Sequence, residues 1–366
     1  MDRPNLHISI NSIATKVIIE NKTAKGIEFI KDNRKRQVFA SKEVVISAGA
    51  VNSPALLMLS GIGPKEHLEE LGIPVHVDLP VGNNLEDHIL YNMKYNINSS
   101  LSISTETLQA LLPKLQYTLT RTGIYSGSGI EGHILDQVPN RDKSEPNYPD
   151  YQILFFSIAQ DEGFQRYGLD MNFKDSVKDL FITRSNKNEF STACILLHPQ
   201  SKGTIRLRSR DPFDPPIIDP NYQENPYDVK VLLAAVRKTE EIMNTKVFQD
   251  LGATLNRRDF PEICDKQQFD SDDYWECLIR HYAVTVYHPT SSCRMGAPTD
   301  STTVVDFQLR VKGISSLRVA DASVMRHEPS GNTNAPTIMI GEKAADMIRG
   351  KDTVSRFREH IAKLNL

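Results

Sequence analysis

The sequence predicts a mixed fold, α/β at the two ends of the chain and α+β in the middle, and three observations predict it. The run Glu43-Val44-Val45-Ile46-Ser47 is nearly continuous and apolar, stops at Ala48-Gly49-Ala50 and leads into an apolar helix. That is the pattern of a strand buried on both faces and followed by a helix. Leu317 to Ala320 returns to a short apolar strand ending at Asp321, with a second helix beyond it. Between about Asn84 and Pro298 the pattern loosens into mixed strands and Pro-rich loops such as Asp211-Pro212-Phe213-Asp214-Pro215-Pro216. Strand–helix units flanking a mixed middle indicate one discontinuous domain, 1–85 and 298–366, interrupted by an inserted one, 86–297.

Taken in order, β-branched segments separated by turn residues predict strands at Leu6 to Ile10, Lys16 to Glu20, Gly26 to Ile30 and Glu43 to Ser47. Ser53 and Pro54 read as an N-cap and a first helical residue, so a helix runs over Ala55 to Leu59 and ends at Gly61. A second short helix, about Pro64 to Leu71, closes at Gly72. The middle holds one strong helix, about Pro226 to Asn244, with apolar residues at helical spacing. The last helix, about Pro336 to Ile348, is entered through Asn332-Thr333-Asn334 and left at Gly350.

Composition sets limits on function. The chain has 366 residues, 39% apolar and 24% charged, with a net charge of −3. The basic residues are dispersed, so there is no electrostatic footprint for nucleic acid or an anionic membrane, and small neutral partners are expected. No run approaches the roughly 18 apolar residues of a membrane span, and the first residues lack the apolar core of a secretory signal. Asn21-Lys22-Thr23 and Asn98-Ser99-Ser100 are glycosylation sequons, which permit secretion without establishing it. Cys264, Cys277 and Cys293 crowd near His281 and His288 but lack the short Cys-x2-4-Cys pair of structural zinc. No metal is expected; one disulfide, most simply Cys264 with Cys277, fits an extracellular setting.

Gly127-Ser128-Gly129-Ile130-Glu131-Gly132 matches G-x-G-x-x-G, the spacing that lets backbone approach a pyrophosphate at a helix N-terminus. Here the preceding Tyr117 to Arg121 is not a buried strand, and the following residues soon meet Pro139. A Gly-rich loop of the inserted domain is the expectation.

A more specific signal is Gly49-Ala50-Val51-Asn52-Ser53-Pro54-Ala55-Leu56-Leu57-Met58-Leu59-Ser60-Gly61-Ile62-Gly63. Over its whole length this stretch resembles the second signature of the glucose–methanol–choline (GMC) oxidoreductases, a family of flavoenzymes. The resemblance continues through Leu79 to His88, His198 to Gly203, Tyr287 to Gly296, Val319 to Ser323 and Gly331 to Thr337, in the family's order. The Gly-Asn-Thr-Asn-Ala-Pro version looks most like insect glucose dehydrogenase-like members. It implies an incomplete FAD-binding domain of GMC type with an inserted mixed-sheet substrate-binding domain. The family's N-terminal strand–Gly-rich loop–helix unit for the FAD pyrophosphate, roughly two hundred residues or about one domain's worth, is not seen before Met1.

The resemblance also implies the chemistry. Oxidising a CH–OH group by hydride transfer to flavin N5 needs a base for the hydroxyl proton, and His288 lies in the matching motif as that base. Asn334 aligns where relatives carry a second His or an Asn; its amide is expected to hold the substrate oxygen, although helix N-capping would also explain it. The helix entered at Asn334-Ala335-Pro336 offers free N–H groups and a partial positive charge to the reduced flavin's N1 and C2 carbonyl region. Asp321 and Ala322 match positions near the FAD diphosphate and ribityl chain, and Ala48 and Gly49 allow close approach of the adenosine part. By itself Asp321 is an ordinary turn residue after a strand. His88 is expected to be structural, Trp275 and Tyr287 core or pocket residues, and His281 a bystander. The substrate implied is a small alcohol or sugar; the electron acceptor is unreadable. The alternative is a non-catalytic fragment or binding module that cannot hold FAD.

Overall fold

The computed structural model describes residues 3–99, 102–139, 141, 147–159, 188–257, 260 and 262–351. The chain divides into two compact units, one formed by Met1–Asp87, Ser201–Tyr222 and His288–Leu366, the other by His88–Gln200 and Gln223–Tyr287.

In the first unit, strands Ser12–Glu20, Thr23–Lys31 and Arg34–Phe39 form an antiparallel meander. Its two-residue turns, Asn21-Lys22 and Asp32-Asn33, have φ between +49° and +56°. Paired positive φ values suit the right-handed strand twist, which makes such turns the favoured hairpin connections. The Arg34–Phe39 strand escapes a hydropathy reading because all six residues are exposed; the Asp-Asn turn folds it back. The strand expected at Leu6 to Ile10 does not form. Leu6, Ile8 and Ile10 are exposed there and no strand among the described residues pairs with them.

The two apolar runs that predicted the fold class lie side by side. Val44–Ile46 and Leu317–Val319 pair in parallel, with Val319 opposite Ile46. Both residues are buried in one apolar core with Leu57, Met58, Ile62, Leu68, Ile314 and Ile340. From Ile46 the chain enters the helix Gly49–Leu59, five residues before the expected first helical residue Pro54. Ser53 therefore is not the N-cap, and Pro54 lies inside the helix. A proline there has no N–H for the carbonyl of Ala50. The Ser292 hydroxyl donates to that carbonyl instead, at 2.5 Å. Ser292→Ala is expected to leave the buried carbonyl unsatisfied and cost about 1–3 kcal/mol, read as a lower denaturation midpoint at unchanged m-value.

The remaining helices of this unit, Lys65–Glu70 and Asn334–Ile348, agree with the sequence reading to within two residues. The boundaries of the compact units differ from those drawn from the sequence. Gly203–Arg206 pairs with Asn83–Leu85 on one side and Ile217–Asp219 on the other, so Ser201–Tyr222 belongs to the first unit. Likewise Ser291, Cys293 and Met295 donate backbone N–H bonds to Ala322, Ser323 and Val324 at 2.8–3.3 Å, which holds the segment from His288 there too. The first region is two short strands among loops and the second is loop with isolated bridges, where hydrophobic period carries little signal.

Among the described residues, the second unit holds a six-stranded antiparallel sheet. Its main path is Thr254–Leu255, Ile89–Asn96, Glu189–Leu196, Tyr151–Phe156 and Ile130–Asp136, with Val284–Thr285 also on Ile89–Asn96. Ile89, Tyr91, Met93 and Tyr95 alternate along their strand and share a core with the helices Pro226–Met243 and Asp272–Tyr282. The first of these starts as the sequence predicts, with Pro226 in its first turn and the Asn225 side chain accepting from Tyr227 N–H. Trp275 is fully buried and donates its indole N–H to Asp270 Oδ1 at 2.9 Å. Cys264 and Cys277 form a disulfide, their Cα atoms 5.8 Å apart. His281 is near these sulfurs, but both are spent on each other. The glycine-rich stretch follows a 3-10 turn, Ile124–Ser126, and enters the strand Ile130–Asp136, so it has no strand–loop–helix context. No helix among the described residues is long and apolar enough to cross a membrane.

Candidate active site

His288 sits in a segment with little freedom. Pro289 restricts its backbone to extended conformations. On its N-terminal side Tyr287 takes φ +60°, a left-handed conformation that costs a bulky residue about 1–2 kcal/mol. The His288 N–H donates to Asp87 Oδ1 at 2.9 Å. Two residues on, Thr290 exchanges backbone bonds with Glu86 in both directions, at 2.8 and 3.3 Å. Glu86 is itself buried and fixed, accepting from Lys202, from His327 at 3.2 Å and from the Glu328 N–H at 2.9 Å. Burial alone would raise its carboxyl pKa, but these donors outweigh it and hold the group below the usual carboxylate range.

The imidazole is half-buried, and its Nε2 lies 3.3 Å from the Asn332 side-chain nitrogen. An amide nitrogen can only donate, so this contact is a hydrogen bond when Nε2 carries the lone pair of the neutral Nδ1–H tautomer. Burial lowers the pKa of His288 from the ordinary imidazole value, and the charge of Asp87 opposes that shift. A half-buried neutral imidazole with a hydrogen-bonded Nε2 is equipped to take a proton.

Asn334 is not the amide brought to this ring. It is exposed, in the first turn of the Asn334–Ile348 helix, whose N-cap is Thr333. No side chain caps the helix. Ala335 is exposed and Pro336 half-buried.

The other sequence-predicted residues collect at the carboxyl ends of the two parallel strands, where open α/β sheets bind ligands. Ala48 is exposed beyond Val44–Ile46, and Ala322 is half-buried beyond Leu317–Val319. Gly49 has φ +84° and nothing within 4 Å of where a Cβ would stand. Asp321 is buried and its carboxylate is already engaged. Oδ2 accepts from the Gly49 N–H at 3.0 Å and the Ser53 hydroxyl at 2.5 Å, and Oδ1 from the Ser323 N–H at 2.8 Å. It thus caps the Gly49–Leu59 helix from the far end of the sequence. His88 is buried in the second unit, its Nε2 3.0 Å from the Leu197 carbonyl, a structural placement. Tyr287 is exposed.

Sequence reasoning missed Asn332, although it read the residue as part of the helix entry. It missed the partners of Asp87 as well, because nothing in the local pattern pairs residues two hundred positions apart.

Comparison with known proteins gives a consistent result. Family models described as GMC oxidoreductase match residues 199–341 and 1–90. Glucose dehydrogenase [FAD, quinone] of Drosophila melanogaster is 36% identical over 352 residues, 95% of this chain and 53% of its own length. Mitochondrial choline dehydrogenase of Homo sapiens is 34% identical, over 96% of this chain and 54% of its own length. The chain thus spans about half the length of these relatives. Among solved structures, formate oxidase of Aspergillus oryzae in its R554A form, 25% identical, superposes with a TM-score of 0.78 over 95% of this chain and 62% of that one. On the matched models and the shared fold, this chain belongs to the GMC oxidoreductase family.

Proposed function

We propose that the protein acts in FAD-dependent oxidation of a CH–OH group on a small alcohol or sugar, with His288 taking the hydroxyl proton. The observation that carries this reading is the contact between His288 Nε2 and the Asn332 amide. A substrate hydroxyl placed between them would give its proton to Nε2 and keep its oxygen on the amide donor. Geometry favours Asn332 over Asn334 for that positioning role. FAD, the cofactor named for the relatives, supplies the hydride acceptor when bound. The chain's residues fit such a group. The open side of Gly49 and the exposed Ala48 leave room at one strand end, with Ala322 at the other. The N–H groups of Asn334 and Ala335 at the uncapped helix start suit a negatively charged ring edge. Pro336 removes a donor that the first turn would leave unpaired anyway. Asp321 shapes the strand end through Gly49, Ser53 and Ser323.

The test is anaerobic bleaching. The purified protein is supplied with FAD and then with primary alcohols and sugars, and the visible flavin band is followed. Loss of the band with at least one donor is expected. Retained flavin that no donor bleaches overturns the oxidase or dehydrogenase reading, and failure to take up FAD returns the chain to the binding-module alternative.

A further inference from the structure

Three residues of the first unit meet at one carboxylate, and each is the terminal residue of one of that unit's chain segments: Asp87 ends Met1–Asp87, Tyr222 ends Ser201–Tyr222 and His288 begins His288–Leu366. Asp87 is buried. Its Oδ1 accepts the His288 backbone N–H at 2.9 Å, and its Oδ2 accepts the Tyr222 hydroxyl. We propose that Asp87 is a positioning residue for His288: one oxygen fixes the histidine backbone, Tyr222 fixes the other, and the negative charge favours the imidazolium that forms when a substrate gives up its proton. The inference builds on the reading of His288 as proton acceptor.

Two effects act through this carboxylate. A carboxylate held by two donors cannot swing away, so the backbone of the next segment is placed to within a hydrogen-bond length. A buried charge near the ring is weakly screened and acts on each protonation event. The charge of Asp87 acts on the imidazole and opposes the effect of burial. Asn332, whose amide nitrogen lies 3.3 Å from Nε2, is uncharged.

Asp87→Asn separates the two effects, because an amide oxygen still accepts the His288 N–H while the charge is gone. The readout is an NMR pH titration of the purified protein carrying labelled histidine, with the His288 signal identified by its loss in His288→Gln. The titration midpoint of His288 is expected to fall by about half a unit to one unit in Asp87→Asn. An unmoved midpoint in a folded Asp87→Asn protein overturns the proposal. If that variant does not fold, Tyr222→Phe decides: it removes a donor and leaves the charge, so the midpoint should hold or rise, and a fall overturns the proposal. The outcome is independent of the proton-acceptor reading. A His288 variant that still reduces flavin would sink that reading and leave the titration shift intact, whereas an unmoved midpoint would sink the role of Asp87 alone.

Discussion

Replacing His288 with alanine is expected to lower alcohol-dependent flavin reduction by about 10²–10⁴-fold, the usual contribution of a positioned general base. The measurement is anaerobic stopped-flow reduction in the flavin-loaded protein, with FAD content checked by absorbance. Loss of rate at unchanged FAD content identifies the imidazole as the missing group, since alanine removes the lone pair of Nε2 that Asn332 marks. The pH dependence has a definite sign. His288 acts only when neutral, so the rate should fall as pH drops through its folded-state pKa. Burial puts that pKa below the ordinary imidazole value, and the charge of Asp87 limits the displacement. Activity should therefore persist to somewhat lower pH than a free histidine would allow. Equal rates in the variant and the parent would remove His288 from the reaction.

The second large effect is on stability. Asp321→Ala is expected to destabilise the first unit by about 3–5 kcal/mol. The carboxylate is buried and accepts from three donors, the Gly49 N–H, the Ser53 hydroxyl and the Ser323 N–H. Alanine strands all three at once and removes the helix cap. Asp321→Asn should recover part of the loss, because an amide oxygen can replace one acceptor. Chemical denaturation of the three proteins checks the order, parent above Asn above Ala; an Ala variant within about 1 kcal/mol of the parent would show that the donors find other partners.

Much of the fold was legible. The two apolar runs at Val44–Ile46 and Leu317–Val319 are paired strands, each followed by its expected helix, but Val45 is exposed, so the first is buried on one face and not on both as its apolar run suggested. The Pro226–Met243 helix was readable because its apolar residues recur at helical spacing, which is a local signal; its Asn225 cap was shown by the structure. The glycine-rich stretch was correctly set aside on the same kind of evidence, since what flanks a motif is also local. Ser53 shows where that reasoning stops. A Ser-Pro pair is a sound helix start, yet the helix begins at Gly49 because Asp321, 272 positions away, supplies the acceptor. The site divides in the same way. His288 was marked by its surrounding motif, whereas the choice between Asn332 and Asn334 turned on which face of a loop meets a ring contributed by another segment.

The sequence by itself determined the fold class, the family resemblance and the motif that singles out His288 as the candidate base, because hydrophobic period, helix start signals and motif spacing are written in neighbouring residues. Only the tertiary structure decided which amide lies beside that histidine, that Asp87 joins three chain segments, and that Asp321 accepts the first N–H of a distant helix. Each of these is a hydrogen bond whose donor and acceptor lie far apart along the chain. A directional contact of about 3 Å forms only after packing has placed both partners, so no local pattern records it.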